Sequence, residues 1–570
     1  MKKIYNRLSV LIISLSFLLL SCDLEEHPMS DLSPAGYYQT EEGVESLVNG
    51  IYQAARSLDA ITAALHYLNV LGTDTEQAGG GSESKPMNWY GHTVSEGDLS
   101  SVWNSCYELI NFCNYAVKYV PDAEGMSDDV KKVREAEARF FRAHAYYHLT
   151  INFGDVHFTL EASEGAATEA NRTPVATIFD DGIYPDLRFA AANLPSNPSE
   201  YGRLSSWAGK FMLGYALLSD SRGTATQWNE AAGLYKDIID NGGFALMSPF
   251  DVWDEDNDGK NTEVIFCYHD LPYSATAGNG TVNQGHMYYL ATYPNISNGA
   301  LIRSLPYGKA WARLRVSTWL INQIDETKDC RFEAYFRDTW VCNNSGARYI
   351  YQVNGKKDTV NYRVGIDTVF ITPKRAWTKE QIDARPHIMV YNPDDASPIT
   401  PSVEGDNIYY QCFQNPSTTI HPSLIKYDDT KRPDANDSYG GRDNVLIRLA
   451  NAYLLASEAY LRAGNKSEAL KYFNSIRRNA AYPGKENDME VSEAELDIDM
   501  ILDERGRELC GEWYRWSDLK RLGKLPERAM LNAFVKSHNV VWDNKYLLRP
   551  IPQSHIDRCT NEYPQNPGYE

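Results

Sequence analysis

The chain is 570 residues long and carries 76 acidic against 55 basic residues, a formal net charge of −21, with 38 Tyr and 12 Trp. Such an acid excess excludes a nucleic-acid-binding surface, which needs a basic footprint against phosphate, and attachment to anionic lipid through a basic patch. The length suffices for a large core, and the Tyr and Trp excess supplies rings with an apolar face and a polar edge, suited to sugars and to protein interfaces alike.

The first element is apolar. Lys2, Lys3 and Arg7 precede a run from Leu8 to Leu20, shorter than the roughly 20 residues of a membrane-spanning helix and of the length of a signal-peptide core. It ends at Leu19-Leu20-Ser21-Cys22, which reads as a bacterial lipobox. Residues 1–21 are then a lipoprotein signal peptide, and Cys22, acylated, becomes the N-terminus. Several acyl chains, at about 0.8 kcal/mol per buried CH₂, hold a protein to a leaflet far more firmly than one. No other apolar run approaches spanning length, so residues 22–570 are expected to form a globular domain tethered by its first residue.

Apolar residues at three- and four-residue spacing predict helices over 41–56, 100–119, 129–152 and 178–193, the last stopping at Leu194-Pro195. Between the first two lies "LGTDTEQAGGGSESKPMNWYGHT" (71–93). Its "AGGGSES" lacks the preceding strand and following lysine of a phosphate loop and reads as a flexible connection. It then presents Asn88, Trp89 and Tyr90, an amide beside two rings that can stack on a pyranose and bond its hydroxyls. Nothing in a glycine-rich polar loop calls for Trp89 as packing. In the 129–152 helix His144 and His148 stand at the i,i+4 spacing of zinc-binding histidines, but Ala145 occupies the place of the HExxH glutamate. Their surroundings, "RFFRAHAYYHL", read as packed core, so no zinc enzyme is expected.

Residues 204–241 and 445–478 share a helix-pair pattern: small residues on the first helix (Gly214 and Ala216; Ala456 and Ala459) and an aromatic on the second (Tyr235; Tyr472). This resembles the tetratricopeptide repeat, whose pairs bury their apolar faces by stacking. Between about 245 and 440 Gly, Asn, Asp, Pro and Tyr dominate and strands are short, with a hairpin turning on Asn354-Gly355. "DEDNDG" (254–259) begins like a calcium loop, but its twelfth position is Ile265 instead of the bidentate glutamate, so it reads as an acidic turn.

In "ERGRELCGEWYRW" Glu504, Glu508 and Glu512 fall on one helix face, with Asp503–Arg507 and Glu512–Arg515 spaced for intrahelical pairing and Trp513, Tyr514 and Trp516 as packing bulk. A glycosidase needs two carboxyls about 5–9 Å apart across an open cleft. Acids interleaved with bases favour a salt-bridged scaffold helix instead. After Cys22 the cysteines stand singly at 106, 113, 267, 330, 342, 412, 510 and 559, with no CxxC. Cys106 and Cys113 lie about 10 Å apart along a helix, beyond the roughly 7 Å a disulfide spans. All eight read as small buried hydrophobes.

The pieces "YYQTEEGVESLVNGIYQAAR" (37–56), "EARFFRAHAYYHLTINFGDV" (137–156), "NVLIRLANAYLLASEAYLRAG" (444–464), "ILDERGRELCGEWYRWSDLKRLGKL" (501–525) and "LRPIPQSHIDRCTNEYPQNPGY" (548–569) resemble, in this order, the SusD/RagB family. The resemblance implies a mainly α fold, with a scaffold of tetratricopeptide-like helix pairs over about 36–244 and 441–525. It also implies a loop-rich, ligand-binding insertion over about 245–440 and an irregular C-terminal segment over 526–570. It implies a non-catalytic, surface-exposed outer-membrane lipoprotein that binds nutrient oligosaccharides and delivers them to a SusC-like TonB-dependent transporter, with no cofactor. Asp23, Glu25 and Glu26 resemble the surface-export signal of such lipoproteins. In the family, aromatics from the 71–100 region and from beyond the "EVIF" strand supply the glycan platform. The candidates are thus Asn88, Trp89 and Tyr90 with Tyr288, Tyr289, Tyr293 and Trp311. A peptide ligand, a lipid-anchored glycoside hydrolase and a purely protein-binding repeat scaffold are the alternatives.

The lipobox yields a direct test. Cys22→Ala should abolish acylation and move the protein from the membrane to the soluble fraction. Wild-type membrane retention of the variant, in cells lacking a partner transporter, would refute the lipoprotein reading.

Overall fold

The structure is a computed structural model that describes residues 34–163, 165, 168–270, 283–295, 299–353, 356–393, 412–414, 419–512 and 514–569. Cys22 and its lipobox, the Asn354-Gly355 turn, Trp513 and the side chain of Cys412 lie outside the described residues.

The helical periodicity is realised as α1 (Glu41–Leu58), α2 (Gly97–Tyr119), α3 (Asp128–Phe153), α4 (Tyr184–Asn193), α5 (Ser206–Ser219), α6 (Ala225–Asn241), α7 (Leu449–Arg462), α8 (Lys466–Asn479), α9 (Ile498–Leu509) and α10 (Arg515–Arg521). Local chemistry sets the boundaries. The Thr40 hydroxyl accepts from Gly43 N–H at the start of α1, Ser127 caps α3, and Thr224 with Gln227 forms a reciprocal capping box on α6. The helix expected over 178–193 is broken: Val175–Ile178 runs into a π segment, Phe179–Ile183, before α4. There Tyr184 N–H reaches back to Phe179 O, and Pro185 follows without an N–H to continue regular bonding.

From α1 to α8 each helix packs on the next, which is how helix pairs that cannot cover their apolar faces alone become stable. The small-residue pattern has a steric cause. A Cβ on Gly214 would lie 2.8 Å from Cζ of Tyr235, and in the α7–α8 pair the Tyr460 and Tyr472 rings stack at 5.5 Å. The α6–α7 contact is direct although about two hundred residues separate the two helices. The intervening chain therefore leaves the stack and returns to the same place.

That chain carries most of the strands: β2 (Val264–Tyr268), β3 (Leu314–Val316), β4 (Thr339–Val341), β5 (Arg348–Val353), β6 (Lys356–Asn361), β7 (Thr368–Ile371), β8 (Met389–Asn392), β9 (Cys412–Gln414) and β10 (Asn444–Arg448), while β1 (Glu76–Ala78) precedes it. β2 and β10 pair antiparallel where the excursion begins and ends, forming a neck. β5 and β6 form the expected hairpin, closing at Val353 opposite Lys356. A four-stranded sheet in the order β9–β8–β7–β4 backs a second core in which Trp340 lies between Tyr293 (centroids 4.6 Å) and Phe370 (5.4 Å). Tyr293 is thus a core residue of the excursion and fully buried.

The 504–518 stretch differs from the single salt-bridged helix expected. α9 ends at Leu509, Gly511 takes φ +80° and its N–H turns inward to Glu76 Oε1 at 2.9 Å, so the acids pair mostly across elements. Glu504 meets Arg331 at 2.7 Å and Arg477 at 3.0 Å, besides Arg507 of its own helix. Glu508 meets Arg448 at 2.8 Å and Arg331 at 3.1 Å. Glu512 bonds Arg448 and Lys426, both at 2.7 Å. Asp503 pairs with Arg528, and Arg515 holds Asp74. Burial alone would raise the carboxyls of Glu504 and Glu508, but the surrounding guanidinium groups outweigh it and hold Glu504 well below the usual range and Glu508 below it.

Breaking a buried pair leaves an uncompensated charge. Glu508→Gln should therefore cost roughly 3–5 kcal/mol in urea unfolding and leave any ligand affinity unchanged. A hydrolytic activity present in the wild type and lost in this variant would contradict the scaffold role.

Candidate ligand-binding face

β1 pairs antiparallel with β3, Glu76 opposite Val316 and Ala78 opposite Leu314. This two-stranded ladder brings the 71–93 segment against the excursion and so joins both regions that carry the aromatic candidates. The segment is anchored, contrary to the flexible loop expected. Residues 71–80 are buried throughout, and Asp74 is held by Arg515. Glu76 accepts from Gly511 N–H and from the Tyr289 hydroxyl. The glycines permit close approach: a Cβ on Gly79 would sit 2.0 Å from Ala312 O, and one on Gly80 2.2 Å from Thr419 Cγ2.

The seven candidates separate by exposure. Asn88 is 1% exposed and is spent on the loop itself, accepting from Ala78 N–H and donating to the carbonyls of Ser82 and Lys85. Tyr90, 2% exposed, donates to Gly72 O at 2.6 Å and packs on Trp542 and Tyr546. Tyr289 is buried between Glu76 and His66, and Tyr293 lies in the second core. None of these four offers a ring face or a free amide at the surface. Trp89 is half-buried, and one of its faces is covered by the His538 imidazole, with centroids 4.7 Å apart and planes 6° apart. Its size thus has a packing reason that its own loop does not show.

Trp311 is different. It is 39% exposed, its N–H donates to Met287 O at 2.9 Å, and Ala312 behind it is left-handed at φ +49°. The Arg313 guanidinium lies 4.9 Å from its ring centroid and donates to Gly81 O. Tyr288, itself buried at 6% exposure, packs beside it at 5.9 Å and meets the buried Tyr67 at 6.1 Å. Lys85 Nζ lies 4.2 Å over the Tyr67 ring and pairs with Asp98. A continuous line of rings and charges, Lys85–Tyr67–Tyr288–Trp311–Arg313, therefore crosses the junction of the two regions. Tyr67, Lys85 and Arg313 are absent from the sequence reading; the W-x-R spacing of Trp311 and Arg313 is the one signal that points to the last. Two cavities, of about 730 Å³ near Ile151, Lys520 and Asn566 and about 450 Å³ near Tyr201, Trp207 and Phe244, lie elsewhere.

The acidic turn is engaged by bases: Asp256 pairs with Lys431 and Asp258 with Arg442. The seven described cysteines, Cys106 and Cys113 among them, are free thiols.

Residues 262–569 match a family model described as the SusD family, and residues 24–219 match one described as starch-binding, associating with the outer membrane. SusD-like protein P2 of Formosa agariphila is 25% identical over 583 residues, covering 99% of this chain and all of that protein. Among solved structures, a SusD homolog from Bacteroides thetaiotaomicron superposes with a TM-score of 0.67 at 19% identity, over 95% of this chain and 99% of its own. Surface glycan-binding protein A from Bacteroides fluxus gives 0.65 at 20% identity, over 93% and 100%. Both share the fold of this chain.

Burial pushes the Glu76 carboxyl up to about 7, against opposing contributions from Tyr289, Gly511 N–H, Lys426 and Arg515. A carboxyl raised on folding stabilises below its unfolded value, and that contribution is lost as pH rises through the folded value. Glu76→Gln, always neutral, should gain on the wild type by up to about 3 kcal/mol between pH 4.5 and 8. Thermal melts of both proteins across that range would show it, and parallel pH profiles would refute it.

Proposed function

This chain belongs to the SusD family, and on that premise we propose that it is a non-catalytic protein that captures glycan oligomers at the outer membrane. The face around Trp311 carries the reading. An exposed indole backed by a guanidinium and flanked by a tyrosine offers a sugar ring an apolar surface, and Arg313, Lys85 and Asp98 offer its hydroxyls charged partners. The family description naming starch and outer-membrane association supports it, as does the fold shared with a protein named for surface glycan binding. The buried, cation-paired state of Glu504, Glu508 and Glu512 supports a binding role over hydrolysis.

In this reading acylated Cys22 tethers the chain at the cell surface, and a SusC-like TonB-dependent transporter receives the captured oligosaccharide. The helical segments at about 36–244 and 441–525 form the scaffold, the stretch at about 245–440 forms the ligand-binding insertion, and 526–570 closes the domain. Trp311 is the platform, with the buried Tyr288 packed beside it, and Trp89 is held against His538. Asn88, Tyr90, Tyr289 and Tyr293 act behind it by holding the loops.

Titration calorimetry against panels of oligosaccharides and of peptides tests this. With the glycan that binds, Trp311→Ala should weaken affinity by about 30-fold or more, the loss of an anchor worth at least about 2 kcal/mol, and leave the melting temperature nearly unchanged. Trp89→Ala should lower the melting temperature, because it uncovers His538. Binding only to peptides, or release of reducing ends from the glycan, would overturn the proposal.

A further inference from the structure

His144 and His148 lie one turn apart on α3, and their rings face the end of α1, where Asp59 is the C-terminal cap. All three are buried, at 1%, 1% and 0% exposure. One potential ligand atom from each lies within 4.8 Å of those of the other two. His144 Nε2 is 2.9 Å from Asp59 Oδ1, and the second carboxylate oxygen accepts from the Tyr268 hydroxyl at 2.6 Å. His148 is the anomaly. Among the described residues neither of its ring nitrogens has a hydrogen-bond partner, nor does Nδ1 of His144. The His148 ring instead stands edge-on to His144, with centroids 4.5 Å apart.

Buried polar atoms are almost always satisfied, so an imidazole with two orphan nitrogens needs a reason. Ordinary core packing supplies none, because a phenylalanine would fill the same volume with nothing unpaired. Two imidazole nitrogens and a carboxylate, however, are the donor set of zinc and neighbouring divalent transition metals. Calcium and magnesium, which take oxygen ligands, do not fit it. Metal–ligand bonds of about 2.0–2.1 Å place tetrahedral donors about 3.4 Å apart, so the widest pair would have to close by up to about 1.4 Å.

We propose that Asp59, His144 and His148 form a buried structural site for a divalent transition-metal ion of the zinc type. The missing HExxH glutamate does not bear on this, because it serves catalysis and the third ligand here comes from another helix. A metal takes neutral imidazoles and an ionised carboxylate, and Nε2 of His144 would exchange its hydrogen bond to Asp59 for a metal bond. Tyr268 on β2 orients the carboxylate, as partners beyond the ligands do in metal sites. The ion would thus tie α1 and α3 to the neck. Buried ligands imply that it enters as the chain folds and that its binding contributes to folding.

The test unfolds the full untagged chain with a chelator and refolds it with or without one equivalent of Zn²⁺ or Co²⁺. The expected result is about one ion per chain after gel filtration, visible ligand-field absorption for Co²⁺, and a higher melting temperature with metal. His148→Phe should retain less than about a tenth of an ion and melt at the same temperature with or without it, while His387→Ala, remote in sequence and half-exposed, should behave as wild type. Wild type without bound ion, or His148→Phe binding as much as wild type, would overturn the site. Should His148→Phe fail to fold, the stoichiometry and Co²⁺ spectrum of the wild type decide.

Discussion

Arg448 and Arg331 are fully buried guanidinium groups, and the positions open to them are few. Moving a charge out of water costs several kcal/mol after relaxation, repaid only where geometry and hydrogen bonding are both good. Arg448 ends β10 and precedes α7, and it reaches Glu263 just before β2, Glu508 on α9 and Glu512 beyond it. Arg331, from the excursion, meets Asp329, Glu504 and Glu508. Lys426, from its far end, meets Glu512. One connected set of charges thus joins the departing strand, the returning strand, the excursion and the C-terminal helices. Such networks contribute little net stability. Here the consequence is positional, because a slipped neck would strand several charges in the core.

The candidate face depends on that position. Gly511, which turns the chain out of the network, donates to Glu76, and Arg515 just beyond holds Asp74. Both acids flank or lie in β1, the strand that docks the 71–93 segment on β3. The order runs from buried charges to an anchored strand, then to glycines pressed against the excursion, and finally to Trp311 and Arg313 at the surface. On the proposed function, a platform built this way is arranged before ligand arrives, which spares the ordering cost that mobile binding loops carry.

Separate cores divide the labour. Most of the helices share one, to which Tyr288, Leu314 and Tyr335 of the excursion also belong, a smaller one lies among α7, α8 and α9, and Trp340, Tyr293 and Phe370 centre another within the excursion. Outer loops of the excursion can therefore vary without disturbing the helix stack. The same division explains why aromatic content is a poor guide to exposed rings here: Tyr90, Tyr289 and Tyr293 have structural duties that consume their faces and hydroxyls.

The mainly α scaffold was legible in the chain itself, because helical periodicity, capping residues and small-residue crossings act over short range; Gly214 against Tyr235 is the clearest instance. The scaffold character of the 504–518 acids was also readable from their interleaving with bases, although their partners were not. Glu508 finds Arg331 and Arg448 across the fold, and no local spacing announces that. Tertiary structure alone decided which aromatics reach solvent. Trp89 seemed free of packing because His538, which covers it, lies more than four hundred residues away. Trp311 keeps an open face because Met287 and Ala312 hold its backbone outward. Asp59 meets His144 and His148 for the same reason: burial and contact are properties of where distant segments cross, whereas helix and turn are properties of neighbours.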